Sequence, residues 1–306
     1  MSDLITSFLS STMRMATPLL ICGLGLVFSA NAGIVNIGME GFMLIGALMG
    51  CIGSYWTGSA VMGAVIAMAS TVIIAAVFAF FCLNLQADQT VVGAAINIFA
   101  SGFTITLNRI IFGTTAVAKI ATYDEVAIPL LSKIPVIGTI FNQSVVCYVA
   151  FLLVPVVGYI MKKTHIGLEV RSVGENPRAA DTLGISVNGT RWWTILLSGA
   201  FAGLAGSYMS MGQLSFFTEG MVSGKGYMAL AVVVLGCYSA YGVLGASLVF
   251  GAGLALMYRL QAAGTGVPYQ IILMLPYVIT LIAVCGFVRK SRSPAASAIP
   301  YSKEGR

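Results

Sequence analysis

Ser223-Gly224-Lys225-Gly226 is the stretch of this chain closest to reactive equipment, because glycines beside a lysine can cradle a phosphate with backbone N–H groups. The pattern stops short. A phosphate loop needs the full GxxxxGK[ST] string between a soluble strand and a helix, and neither condition holds around Lys225. ATP hydrolysis by this chain alone is therefore excluded. His165 is the single histidine. It lies close to Lys162 and Lys163 at an apolar boundary, where it reads as a solvated surface residue, and one histidine cannot build a histidine metal cluster. The sequence offers no recognisable nucleophile–base constellation. Cys22, Cys51, Cys82, Cys147, Cys237 and Cys285 are scattered through apolar stretches without a CxxC pair, and they read as free buried thiols. The expectation is a protein that is not an enzyme, with no catalytic residues, no metal site and no cofactor.

The polar residues that remain must be positioned by an unusual solvent. Of 306 residues, 58% are hydrophobic and 8% charged, against roughly 25% charged in soluble domains. The apolar residues fall in successive runs near the ~20 residues that cross a bilayer. Backbone hydrogen bonding inside lipid then requires helices, since the short alternating segments of a β-barrel are missing. The fold class is all-α: one polytopic transmembrane helix bundle over residues 1–306, with about eight to ten spans. The segments run roughly 17–30, 41–55, 60–83, 90–107, 145–161, 192–211, 227–235, 243–260 and 269–288. The second and seventh are short, as broken or re-entrant helices would be. Ala30-Asn31-Ala32 has the look of a signal-peptidase site. Only Arg14 precedes it as a basic residue and the apolar pattern continues past it, so it is expected to remain as a first span. The 35 glycines sit largely inside apolar runs, where small residues let helices approach closely.

Basic residues orient the bundle. Lys162, Lys163, Arg171, Arg178 and Arg191 mark residues 162–191 as a cytoplasmic loop, and Arg289, Lys290, Arg292, Lys303 and Arg306 mark a cytoplasmic tail. Four segments between them return the chain to the same side. Counting backwards places residues 108–144 in an extracytoplasmic loop that includes a short surface helix, residues 84–89 inside, and the N-terminus outside. The net charge of +6 fits this positive-inside bias better than a nucleic-acid or other anionic partner.

Two breaks interrupt the apolar pattern. In Asn31-Ala-Gly-Ile-Val-Asn36-Ile-Gly-Met-Glu40-Gly41, two asparagines and a carboxylate are costly in lipid unless they line a cavity or meet protein groups. A helix starting near Met39 would hold Glu40 at its positive end. A tight turn at the membrane surface is the other reading. The second break, Glu219-Gly-Met-Val-Ser-Gly-Lys225-Gly-Tyr227-Met, echoes the first, because Gly41-Phe-Met aligns with Gly226-Tyr-Met and Glu40 falls opposite Lys225. The helices after the two breaks point in opposite directions, as an inverted repeat requires, with a substrate route near the repeat interface. Candidate pathway residues are Asn31, Asn36, Glu40, Asn97, Asn108, Lys225 and Tyr227. Uncharged amides such as Asn97 and Asn108 can engage hydroxyls and base edges without holding them tightly. Thr104, Thr106, Arg109, Arg259 and Gln261 suit helix bridging or snorkelling, and Phe216-Phe217 suits either an interfacial anchor or a stacking contact.

Between two spans, Asn176 is a good N-cap, Pro177 fits the first helical position, and Gly184 supplies a stop. The resulting helix has about two turns, with Arg178 and Asp181 expected opposite Ala179, Ala180 and Leu183. Physics alone allows an ordinary connector or a docking element for a partner's groove. Ala179-Ala180-x-x-x-Gly184 resembles the end of the coupling loop of ATP-binding-cassette importer permeases. The fuller string Gly174-Glu175-Asn176-Pro177-Arg178-Ala179-Ala180, with Gly184-Ile185, resembles the branch that serves simple sugars, branched-chain amino acids and nucleosides. Arg178 stands where the wider superfamily has Glu, and the Leu-Pro further on is missing. The first break, and Gln86-Ala-Asp88-Gln89-Thr-Val-Val-Gly93-Ala-Ala-Ile-Asn97, resemble nucleoside-type permeases most closely. The resemblance implies a multi-pass subunit in a bacterial cytoplasmic membrane. Its partners would be membrane lipid, a second and larger permease, a cytoplasmic ATPase docked on 174–184, and an external substrate-binding lipoprotein.

Overall fold

Every apolar run forms a helix in the computed structural model, which describes residues 2–113, 120–127, 142–263, 268–287 and 293–302. Helices α1 (Ser2–Asn31), α2 (Met39–Thr57), α3 (Ala60–Ala79) and α4 (Gln89–Phe112) lead to a short ribbon. In it β1 (Glu125–Ala127) pairs antiparallel with β2 (Asn142–Ser144), Val126 opposite Gln143. Then follow α5 (Val145–Lys163), α6 (His165–Glu175), α7 (Pro177–Thr182), α8 (Val187–Tyr208), α9 (Lys225–Leu235), α10 (Ala240–Ala262) and α11 (Tyr269–Phe287). α3 and α8 each continue into a π-helical segment, Phe80–Asn84 and Met209–Leu214. The ribbon was not anticipated, and the surface helix expected in this loop is not among its described residues. The basic residues Arg289, Lys290, Arg292, Lys303 and Arg306 also lie outside the described residues.

Among the described residues, six helices are long and apolar enough to cross a membrane: α1, α3, α4, α5, α8 and α10, with the π segments included. α9 has 11 residues, and α2, at 19 residues, is buried along most of its length. The protein is thus a multi-pass membrane protein with a short helix among its full spans. α1 begins well before the expected Thr17. Its early polar residues are accommodated within the helix, where Ser11, Thr12 and Thr17 satisfy their hydroxyls on carbonyls four residues back.

The core forms where α1 packs on α10, α3 on α8, and α2 between α3 and α8. In the apolar windows of α1 and α8, 78% and 67% of residues are buried within the chain, against 22% in α4. The exposed face of α4 is therefore left for lipid or another subunit. The order α1–α2–α3–α4 repeats as α8–α9–α10–α11, and the α1–α10 and α3–α8 packings exchange under that correspondence. The repeat is inverted. The end of α1 sits with α6, the start of α8 and residues 296–299 at one end of the bundle. Residues 121–123 meet the ends of α2 and α8 at the other. α2 runs toward the second end and α9 toward the first.

Arg191 corrects the loop reading. It lies inside α8 and is fully buried, so it is not a solvated orienting charge. Its guanidinium donates to the Ala32 and Ile299 carbonyls at 3.1 and 3.0 Å. With Ala296 N donating to Gly174 O and Ala298 N to Gly33 O, it ties residues 294–301 across the first break. Arg191→Met is expected to cost about 3 kcal/mol, the sum of two bonds from a charged donor. The measurement is the thermal midpoint of the detergent-purified chain, and an unchanged midpoint would show that the tie carries no stability.

Candidate translocation site

The two breaks meet where α2 and α9 begin. α2 starts at Met39, so Glu40 sits in its first turn. Its carboxylate reaches across to the N-terminus of α9, accepting from Gly224 N at 2.7 Å and Gly226 N at 2.8 Å. These are orphan donors of a helix start, and a carboxylate there is favoured by both hydrogen bonding and the helix dipole. The two helix starts touch closely. A Cβ on Gly226 would overlap the backbone of Glu40, so only glycine permits this approach. Lys225, the first residue of α9, is 7% exposed beside this junction.

Asn97 on α4 ties the junction to a third helix. Its Oδ1 accepts from Gly41 N at 2.8 Å, which satisfies a donor at the start of α2. Its Nδ2 lies 3.0 Å from the Ile37 carbonyl and 2.8 Å from the Tyr227 hydroxyl on α9. Asn36 is buried and turns back to accept from Gly38 N at 2.9 Å. Gln89 accepts from Val35 N at 2.8 Å. Asp88 caps α4, and the N–H groups of Val91 and Thr90 hold its carboxyl below the usual carboxylate range. The strings 31–41 and 86–97, far apart in sequence, therefore form one site.

Of the candidate pathway residues, Glu40, Asn97, Lys225 and Tyr227 come together at the junction, and Asn36 shapes the turn beside them. Two expected pathway residues do not join them. Asn31 ends α1 and donates to Val27 O and Tyr238 O, tying the chain at the opposite end of the break. Asn108 lies three turns further along α4, roughly 16 Å from Asn97 along the helix axis. The pairing of Arg109 with Glu219 at 2.9 and 3.1 Å escaped sequence reasoning, as did the Tyr123–Ser207 hydroxyl contact at 2.9 Å. Both join residues distant in sequence, and no local pattern announces them.

At the end of the bundle that carries α6 and residues 293–302, Asn176 caps α7 by accepting from Ala179 N at 3.1 Å. Pro177 takes the first helical position, and Gly184 follows at φ +85°. The expected faces need correcting. Ala180 is 1% exposed, packed with Val173, Val187, Ile185 and Tyr301. Leu183 points the other way and is 80% exposed, the highest value of any large apolar side chain among the described residues. Glu175, Asn176, Arg178 and Ala179 are exposed with it, and Pro177 is half-buried. Gly174 is pressed against the carbonyl of Asn31, so α6 and α7 abut the break that leads to Glu40.

A bundle of apolar helices with two half-buried helix starts joined by a carboxylate, and an exposed capped helix at one end, defines a membrane transport subunit. The chain belongs to the branched-chain amino acid transport system / permease component family, whose model matches residues 8–284. It is 36% identical to the guanosine ABC transporter permease protein NupQ of Bacillus subtilis, over 99% of each chain. It is 33% identical to the nucleoside ABC transporter permease protein NupC of Lactococcus lactis subsp. cremoris, over 94% of each. The guanosine ABC transporter permease protein NupP of Bacillus subtilis is 27% identical, over 92% of this chain and 82% of its own. No solved structure matches the chain.

Proposed function

We propose that this chain is one permease subunit of an ATP-driven importer of nucleosides in a bacterial cytoplasmic membrane. The observation that carries the reading is the unbroken line of packing from α7 to the junction. Ala180 seats α7 on Val173 of α6, Gly174 of α6 abuts Asn31, and the break after Asn31 leads into α2 and Glu40. A partner ATPase seated on Leu183 would thus push on the start of α2. Glu40 would pass that motion to α9, opening the bundle to one side and closing it to the other. The identity of the cargo rests on the names of NupQ and NupC. The similarity to both NupQ and NupP supports a second, related permease beside this one, with the weakly buried α4 as a face to receive it. An external binding protein would deliver the nucleoside to the side of residues 120–127.

The test is reconstitution of the chain with its second permease and ATPase in proteoliposomes, with the receptor supplied outside. Guanosine uptake is expected only when ATP and all partners are present. Uptake by this chain alone, without ATP, would replace the importer reading with a stand-alone carrier.

A further inference from the structure

Between α9, α10 and α11 lies a cavity of about 170 Å³, whose lining includes Ser223, Lys225, Met228, Tyr258, Gln261 and Tyr277. Lys225 sets it apart. The residue is 7% exposed, and its ammonium has no hydrogen-bond or salt-bridge partner among the described residues. The neighbouring carboxylate of Glu40, which accepts from Gly224 N and Gly226 N, faces the ammonium with opposite charge but makes no direct bond to it. An ammonium donates up to three hydrogen bonds and accepts none, so its donors are open to a molecule in the cavity. An acceptor atom on a solute suits these donors, and the positive start of α9 favours the same polarity.

The rest of the lining suits a flat heterocycle. Tyr258 and Tyr277 are 44% and 56% exposed, so the cavity is open to its surroundings and offers aromatic faces for stacking. Gln261 supplies an amide that both donates and accepts. The volume falls well short of the roughly 300–1,000 Å³ of a drug-sized pocket, so one ring system enters while the remainder of the molecule stays outside. Resting on the nucleoside reading above, we infer that this cavity receives the base of the passing nucleoside, with Lys225 donating to a ring carbonyl oxygen. The contact favours oxo-purines over amino-purines at this step.

The experiment measures guanosine and adenosine uptake by the reconstituted complex with wild-type, Lys225→Gln, Lys225→Arg and Tyr277→Leu chains. The receptor and ATPase are the same throughout, so a change in the guanosine-to-adenosine ratio between chains belongs to this subunit. Lys225→Gln is expected to lower the ratio about tenfold, the worth of one charge-assisted bond, with Lys225→Arg close to wild type. Tyr277→Leu, which leaves Lys225 in place, is expected to lower uptake of both nucleosides about tenfold through lost stacking. An equal loss of both nucleosides in Lys225→Gln would mean a packing role and overturn the inference, as would unchanged uptake in Tyr277→Leu. A wild-type complex that imports neither nucleoside would overturn the nucleoside reading, and this assignment with it.

Discussion

An importer carrying Glu40→Ala is expected to lose at least about a hundredfold in uptake, whereas Glu40→Gln falls between it and wild type. The alanine leaves the N–H groups of Gly224 and Gly226 without their acceptors at 2.7 and 2.8 Å. Each bond to a charged group is worth about 1.5–3 kcal/mol, so the pair amounts to about 3 kcal/mol or more, or two decades at 1.4 kcal/mol each. Glutamine keeps one acceptor oxygen but turns an N–H group toward the other donor, which preserves one contact and opposes the second. Water cannot easily take the vacated place, because Gly226 already lies against the Glu40 backbone. The measurement is uptake normalised to the amount of each variant in the membrane. Wild-type uptake by Glu40→Ala would mean that the two half-helices move without being joined.

Much of this is legible in the sequence. Each of the nine apolar runs became a helix, because lipid imposes one solution on the backbone and run length then marks the spans. The second break was matched to the first from three residues, and Glu40 and Lys225 do lie at the meeting of α2 and α9. Asn97 stands out in the sequence as an uncharged amide that can engage hydroxyls and base edges without holding them tightly. Which partners it meets could not be read, since Gly41, Ile37 and Tyr227 lie far from it in sequence. Arg191 misled for a related reason. A basic residue at a membrane boundary is usually solvated, and its burial depends on the Ala32 and Ile299 carbonyls arriving from both ends of the chain. For α7 the cap and stop were plain. Its faces were not, because six residues are too few for periodicity to tell the packed side from the open one.

Leu183→Asp is expected to lower ATP-driven uptake at least about tenfold while leaving the purified chain as stable as wild type. At 80% exposure the side chain contributes little to this subunit's own packing. Burying a leucine at an interface is worth about 1.5–3 kcal/mol, and an aspartate there would add a buried charge. Ala180→Asp must behave differently. Ala180 is 1% exposed among Val173, Val187 and Tyr301, so a charge at that position is expected to displace α7 and lower the chain's thermal midpoint as well as its uptake. The contrast separates docking from packing. Partner binding, ATP hydrolysis, uptake and thermal midpoint should be measured for both variants. A Leu183→Asp chain that binds the ATPase and imports at the wild-type rate would move the docking surface off this face. The push on α2 would then have to come from elsewhere at that end of the bundle, where residues 294–301 also bridge α6 to the first break.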